Sequence, residues 1–253
     1  MGRVKPPSVE ARERSHELLA GAVARSKRTS GIQLPRQFLR EELGQDPPLS
    51  RMIRGGRGGE VRLKLYLCLV LIASKTPYDI QQEIPAARWA EMLLLPDPAK
   101  NGARRVADAL SWLEDSRLIG LNRRPGAPPI VKLRSPTGDG RRFVRPRKQY
   151  LTVPLGLWQN DWITTLSATA TALLLVLLDN QGGTTHSPQG LWFSRAKRDR
   201  YVLSDDTWTR ATKELVDLGL VRVIRTPQGE TFDWLRLRNS YWVWKDVLET
   251  PAP

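Results

Sequence analysis

Residues 212–225, TKELVDLGLVRVIR, limit the possible folds more than any other stretch of this chain. Leu215 and Leu218 recur at helical spacing, Gly219 stops the helix, and Leu220 to Arg225 alternates at once as a strand. A second copy, LSWLEDSRLIGLNRR at 110–124, sets Leu113 over Leu215, Asp115 over Asp217, Leu118 over Leu220, Ile119 over Val221, Leu121 over Val223 and Arg123 over Arg225. Upstream, IQLPRQFL (32–39) matches LTVPLGLW (151–158), and an apolar segment follows each, KLYLCLVLIAS (64–74) and TATALLLVLLDN (169–180). Three features recurring in one order imply an internal duplication, with units at about 30–135 and about 149–245.

Each unit opens with a short strand ending at Pro35 or Pro154. A helix apolar nearly all round, hence buried, follows at 61–74 or 167–180. A second helix is expected near 85–95 and 194–202. The third starts at Asp97-Pro98, an N-cap with a proline behind it, or at Ser204-Asp205-Asp206, an N-cap followed by acids that suit the helix dipole. It runs to Asp115 or Leu218. A two-stranded ribbon closes each unit: LIGLNRR, the turn PGAPP and IVKLR in the first, VRVIR, the turn TPQGE and TFDWLRLR in the second.

This order resembles the winged helix-turn-helix DNA-binding family, through L-x-x-L-G-L-V-x-V-x-R at 215–225 and its weaker copy at 113–123. The first unit departs from the pattern, with Arg117 in place of the helix-ending glycine and a longer, stiffer lead-in, PDPAKNG, to its third helix. Two such modules, each entered by a strand ending in proline, also look like the tandem architecture of plasmid replication initiators. The fold expected is mainly α with small β-wings, an α+β chain of two tandem winged-helix domains. The divisions are a basic N-terminal arm at 1–29, domain 1 at 30–135, a basic linker or wing extension at 136–148, domain 2 at 149–245 and a tail at 246–253.

The resemblance implies that the third helix enters the major groove, which admits a helix and displays a distinct pattern for each base pair. The 3.6-residue period puts Trp208, Ala211, Leu215 and Leu218 on the core side and turns Thr207, Thr209, Arg210 and Lys213 outward. In the first unit Val106, Ala109, Leu110 and Leu113 face the core, leaving Lys100, Asn101, Arg104 and Arg105 exposed. Arg210 and Lys213 suit guanine O6 and N7, Asn101 suits adenine N6 and N7, and the threonines suit a phosphate or a thymine methyl. Helix two, SRAKRDRYV, offers Arg195, Lys197, Arg198 and Arg200 to the backbone. The wings offer Arg222, Arg225, Arg236 and Arg238, with Phe232, Trp234 and Leu235 packing inward, and Arg123, Arg124, Lys132 and Arg134 in the first unit. Between the units Arg141, Arg142, Arg145, Arg147 and Lys148 meet a single acid, Asp139, an imbalance that points to phosphate contact.

Composition agrees on the class of partner. A net charge of +14, from 40 Lys+Arg against 26 Asp+Glu, favours a polyanion, with double-stranded DNA first. The apolar runs 65–73 and 173–178 fall short of the roughly 18 residues that a membrane span needs. The N-terminus has no apolar signal-peptide core, so the expected compartment is the cytoplasm. Cys68, among leucines, reads as a buried structural thiol. His16 and His186 are the only histidines, too few for a usual zinc site and poorly placed for a Ser/His/Asp triad. Neither a P-loop nor a Rossmann fingerprint occurs, and no cofactor or metal is expected.

The stretch VEARERSHELLAGAVARS reads as a frayed or partner-dependent helix, and RGGRGG (54–59) as a loop. Trp158, Trp162, Trp192, Trp208 and Trp234 sit beside apolar neighbours and read as core, while Trp242 and Trp244 alternate on a strand-like run that a homodimer can use. The expected function is non-catalytic binding of double-stranded DNA, as a sequence-specific transcriptional regulator. The alternatives are an initiator of plasmid or phage replication on origin repeats, a metal-dependent nuclease, and a protein-interaction scaffold. Asp205 and Asp206 are explained as helix-start residues, and Asp46, Asp97 and Glu91 have no metal-site spacing.

Overall fold

The computed structural model describes residues 6–42, 44–54, 57–181, 190–228 and 236–253 of the 253. Within them the chain is an α+β protein with small sheets. The expectations for His186, for the wing tip at Gly229 and for Phe232, Trp234 and Leu235 lie outside the described residues.

The succession of elements after the first helix occurs twice. A short strand, β1 (Ile32–Pro35) or β5 (Tyr150–Val153), leads to two short helices, α2 (Arg36–Leu39) and α3 (Pro48–Ile53) or α7 (Gly156–Gln159) and α8 (Trp162–Thr165). A long helix comes next, α4 (Arg57–Ile72) or α9 (Ala168–Gln181). Then come a two-residue strand, β2 (Asp79–Ile80) or β6 (Leu191–Trp192), and a short helix, α5 (Ala86–Met92) or α10 (Arg195–Asp199). An amphipathic helix, α6 (Ala103–Asp115) or α11 (Asp205–Asp217), and a hairpin, β3–β4 (Ile119–Arg124, Ala127–Leu133) or β7–β8 (Val221–Gln228, Arg236–Val243), complete each half. In both halves the two-residue strand pairs antiparallel with the second hairpin strand, giving the sheet orders β2-β4-β3 and β6-β8-β7.

The reasons are local. The runs Leu65 to Leu71 of α4 and Ala172 to Leu178 of α9 carry no charged side chain on any side and become the two central rods, at 1% exposure or less. α11 starts where Ser204 Oγ accepts from the amide of Thr207 at 3.1 Å, and it ends at Gly219 with φ 74°. In the first half Arg117 occupies that left-handed position, at φ 59°. The stiff lead-in at 98–102 winds as a π-helical turn after Asp97, so α6 begins only at Ala103.

The halves are joined more closely than a linker would join them. β1 pairs with β5, setting Ile32 opposite Val153 and Pro35 opposite Tyr150, so the opening strand of each half completes the other's. One apolar cluster runs through both halves. Glu60 Oε2 of α4 accepts from the amide of Ala168 at the start of α9, at 2.8 Å. Asp179 of α9, almost fully buried, receives Arg36 Nε at 3.1 Å and Arg40 Nε at 2.7 Å from the first half, and Tyr201 Oη at 3.2 Å.

The N-terminal stretch expected to fray is an ordered helix, α1 (Val9–Ser26), capped by Ser8. Its stripe of Leu19, Ala22 and Val23 is buried, Ser15 Oγ donates to the carbonyl of Met92 at 2.8 Å, and His16 Nδ1 lies 2.8 Å from Asp161 of the second half. A narrow stripe of small residues suffices because both halves supply its cover. The tail is docked as well, with Trp162 Nε1 donating to the carbonyl of Thr250 at 2.9 Å and Asn160 Nδ2 to that of Leu248 at 2.7 Å.

Candidate nucleic-acid interface

On α11 the core face is as the period requires, with Trp208, Ala211 and Leu215 buried and Leu218 half-buried. Thr209, Arg210 and Lys213 are exposed, whereas Thr207 is half-buried and receives the Ser204 hydroxyl at 2.8 Å. Both cations are engaged along their own helix. Arg210 contacts Asp206, and Lys213 Nζ lies 2.6 Å from Asp217, a hydrogen bond that raises the lysine's pKa. Asp206 and Asp217 thus stand against Arg210 and Lys213, while Glu214 accepts from Ser167, so this face is not electropositive on its own.

The equivalent face of the first half is organised differently. Lys100 and Asn101 are exposed in the π-helical turn, and the Asn101 amide is bound to Asp97 Oδ2 at 2.9 Å. Arg104 is exposed; Arg105 is half-buried and has a partner of its own. On the hairpin Arg123 pairs with Glu114 at 2.6 Å and Arg124 contacts Glu83, while Lys132 and Arg134 are half-buried.

The linker folds back onto this hairpin. Arg142 forms an antiparallel bridge with Arg134, and the amide of Ser135 donates to the carbonyl of Arg141 at 2.8 Å. Hairpin and linker therefore make one cationic surface. From 117 to 148 it carries Arg117, Arg123, Arg124, Lys132, Arg134, Arg141, Arg142, Arg145, Arg147 and Lys148, ten bases against Asp139 alone. Arg142, Arg147 and Lys148 have no ion pair among the described residues.

In the second half Arg195, Arg198 and Arg238 meet around a cleft of 810 Å³ between α10, the start of α11 and β8. Arg198 pairs with Asp205 at 2.7 Å and covers the ring of Trp208 at 4.6 Å. Lys197 lies 4.8 Å from the ring centre of Phe193, and burial, then Arg40, holds its pKa below the usual lysine range. Arg222, Arg225 and Arg236 are exposed on the hairpin. Trp192, expected in the core, is exposed at this cleft, because the two-residue β6 turns alternate side chains to opposite faces and Leu191 takes the inner one.

Sequence reasoning did not single out a second cleft, of 590 Å³, where the linker meets β1 and β5. Its lining includes Gln33, Tyr78 and Tyr150 beside Arg142, Arg145 and Arg147. No local pattern marks the first three: strand pairing across the halves brings Gln33 and Tyr150 together, and Tyr78 is set beside them by its contact with Phe143.

Among the described residues no group of three or more His, Cys, Asp or Glu side chains is placed to hold a metal ion, and no helix is long and apolar enough to cross a membrane. Comparisons with protein-family models, with curated proteins and with solved structures found no match for this chain.

Proposed function

We propose that the chain is a tandem winged-helix protein, built by duplication, that binds double-stranded DNA without catalysis and acts as a transcriptional regulator in the cytoplasm. The fold part of the proposal is supported by the twice-repeated order of helix, short strand, helix, helix and hairpin, with matching sheet orders. The observation that carries the function is the hairpin and linker at 117–148, a continuous surface whose segment holds ten bases and one acid, with Glu83 and Glu114 beside it as the partners of Arg124 and Arg123. Cations gathered in this way release counterions from phosphates, so affinity for duplex falls steeply with salt. The test is a duplex-binding titration over a range of salt concentrations with Arg123, Arg124, Arg141 and Lys148 replaced together by alanine. Each lost phosphate contact lowers the slope of log K against log salt by about 0.9, so the expected fall is about 3 to 4. An unchanged slope refutes the assignment of this surface.

A second reading, in which the α11 half contacts protein, has one observation in its favour: four acids against two bases on that helix. Replacing Arg210 and Lys213 by alanine separates the two. Loss of sequence preference, about 1–3 kcal/mol for each base contact, places α11 on DNA, and unchanged DNA retention supports the protein partner. Footprinting on genomic fragments then tells a promoter from origin repeats, and so a regulator from a replication initiator.

A further inference from the structure

The segment between the halves is shaped around a cavity. After β4 it turns through Gly138 and Gly140, both at positive φ (78° and 79°), and Asp139 Oδ1 accepts from the amide of Arg141 at 2.8 Å. Phe143 is then buried against Tyr78, ring centres 4.8 Å apart and tilted by 59°. The chain continues to Tyr150, the first residue of β5, opposite Pro35. On the neighbouring strand Gln33 Oε1 accepts from Arg145 Nε at 2.7 Å, which fixes that guanidinium at the cleft. The result is a concavity of 590 Å³, within the size range of small-molecule sites, with arginines at 142, 145 and 147 and half-buried phenol rings at 78 and 150.

Its charge is uncompensated. No carboxylate lines it. Behind it Arg28 is occupied, donating to the carbonyls of Val70 at 2.8 Å and Leu71 at 3.0 Å, and its pKa is lowered by burial and then by Arg145, so two guanidiniums feel each other there. A concave site that joins guanidiniums to aromatic faces matches a phosphate with an attached flat ring.

We propose that this cleft binds one nucleoside phosphate, its phosphate held by Arg145 with Arg142 or Arg147 and its base laid against Tyr150 or Tyr78. A base-paired duplex cannot supply that group, because its bases are stacked inside and its backbone is convex. Two sources share the chemistry: an unpaired nucleotide in a DNA strand and a free mononucleotide. In its strand-borne form the inference deepens the DNA-binding reading and rests on it.

The test uses the full chain with three probes in parallel: fluorescently labelled oligo(dT), ATP as its competitor, and a blunt duplex. Tyr150→Leu keeps an apolar side chain on β5 and removes the ring without changing charge, and Tyr150→Phe keeps the ring. The expected result is a loss of oligo(dT) affinity of roughly tenfold to a hundredfold in Tyr150→Leu, wild-type affinity in Tyr150→Phe, and unchanged duplex affinity in both. Arg145→Gln weakens oligo(dT) binding as well. Displacement of oligo(dT) by ATP assigns the free mononucleotide as a source, and failure of ATP to displace it assigns the strand. If duplex binds while oligo(dT) and ATP do not, or if Tyr150→Leu binds oligo(dT) like the wild type, the inference falls and duplex binding stands. If oligo(dT) binding depends on Tyr150 but duplex does not bind, the duplex reading falls alone.

Discussion

Asp179→Ala is the substitution that most directly tests how the two halves are held. The carboxylate is 1% exposed and receives two arginines from the first half and the phenol of Tyr201 from the second. Removing it strands whatever cannot reach water. Arg36, 41% exposed, can turn outward and should lose little. Arg40, only 17% exposed and lying 5.6 Å from the ring centre of Tyr201, cannot. One stranded guanidinium rather than two puts the cost at the lower end of the range for breaking a buried pair, about 3 kcal/mol. For a chain of this size that lowers the melting midpoint by roughly 6–12 °C. Arg36→Ala should cost about 1 kcal/mol or less, as for an ion pair with one exposed partner. Urea or thermal melts monitored by tryptophan fluorescence measure both, and the shared core implies a single transition. A cost under about 1 kcal/mol for Asp179→Ala, or an equal cost for Arg36→Ala, would show that Asp179 does not hold a stranded Arg40 at this junction.

Two further outcomes follow from single positions. Burial pushes the Cys68 thiol up to about 12, so it stays protonated and enclosed at pH 8. A disulfide reagent should then leave the native chain unmodified and titrate one thiol per chain in urea. Because the folded value is the higher one, this contribution to stability is present below the ordinary thiol value of about 8.5 and is lost as pH rises from there to about 12. Arg117 and Gly219 occupy equivalent left-handed positions, at φ 59° and 74°. Arg117→Gly should therefore stabilise by about 1 kcal/mol, while Gly219→Ala, whose new methyl meets nothing within 4 Å, should cost about 1 kcal/mol for the backbone alone. A urea midpoint that falls in Arg117→Gly would show that the arginine's own contacts outweigh the strain.

The elements legible in the sequence are those whose signals are local. Leu215, Gly219 and the alternation from Leu220 fix α11 and β7, and Ser204 marks the helix start where its hydroxyl caps. Apolar runs without polar interruption mark α4 and α9 as central. The pairing of β1 with β5 is not legible, because four residues per strand carry no mark of a partner more than a hundred positions away. β2 and β6, at two residues each, are too short to show any period. α1 is only weakly amphipathic in sequence, and its packing depends on surfaces that two separate halves contribute. At the candidate site the cations were legible as residues but not as pairs. The spacing of Asp206 with Arg210 and of Lys213 with Asp217 is the i,i+4 ion-pair spacing, and those acids cancel the charge that the outward-facing cations alone would imply.

That cancellation bears on how affinity and specificity would divide if duplex DNA is the partner. A phosphate approaching Arg210 or Lys213 must first displace Asp206 or Asp217 and then lie beside that carboxylate, so little net attraction is available on α11. On the hairpin and linker at 117–148 Arg123, Arg124 and Arg141 also have acids to displace, in Glu114, Glu83 and Asp139, but Arg142, Arg147 and Lys148 have no ion pair among the described residues, and this surface would supply most of the non-specific attraction. The helices would then act only once a duplex is already held, where exchanging an intrahelical ion pair for a base edge discriminates among sequences while adding little affinity. The shared core and the β1–β5 pairing keep the two halves from moving independently. A duplex anchored on the first half would therefore meet α11 at one fixed separation, so half-sites shifted by even a few base pairs should lose the contribution of the second half entirely.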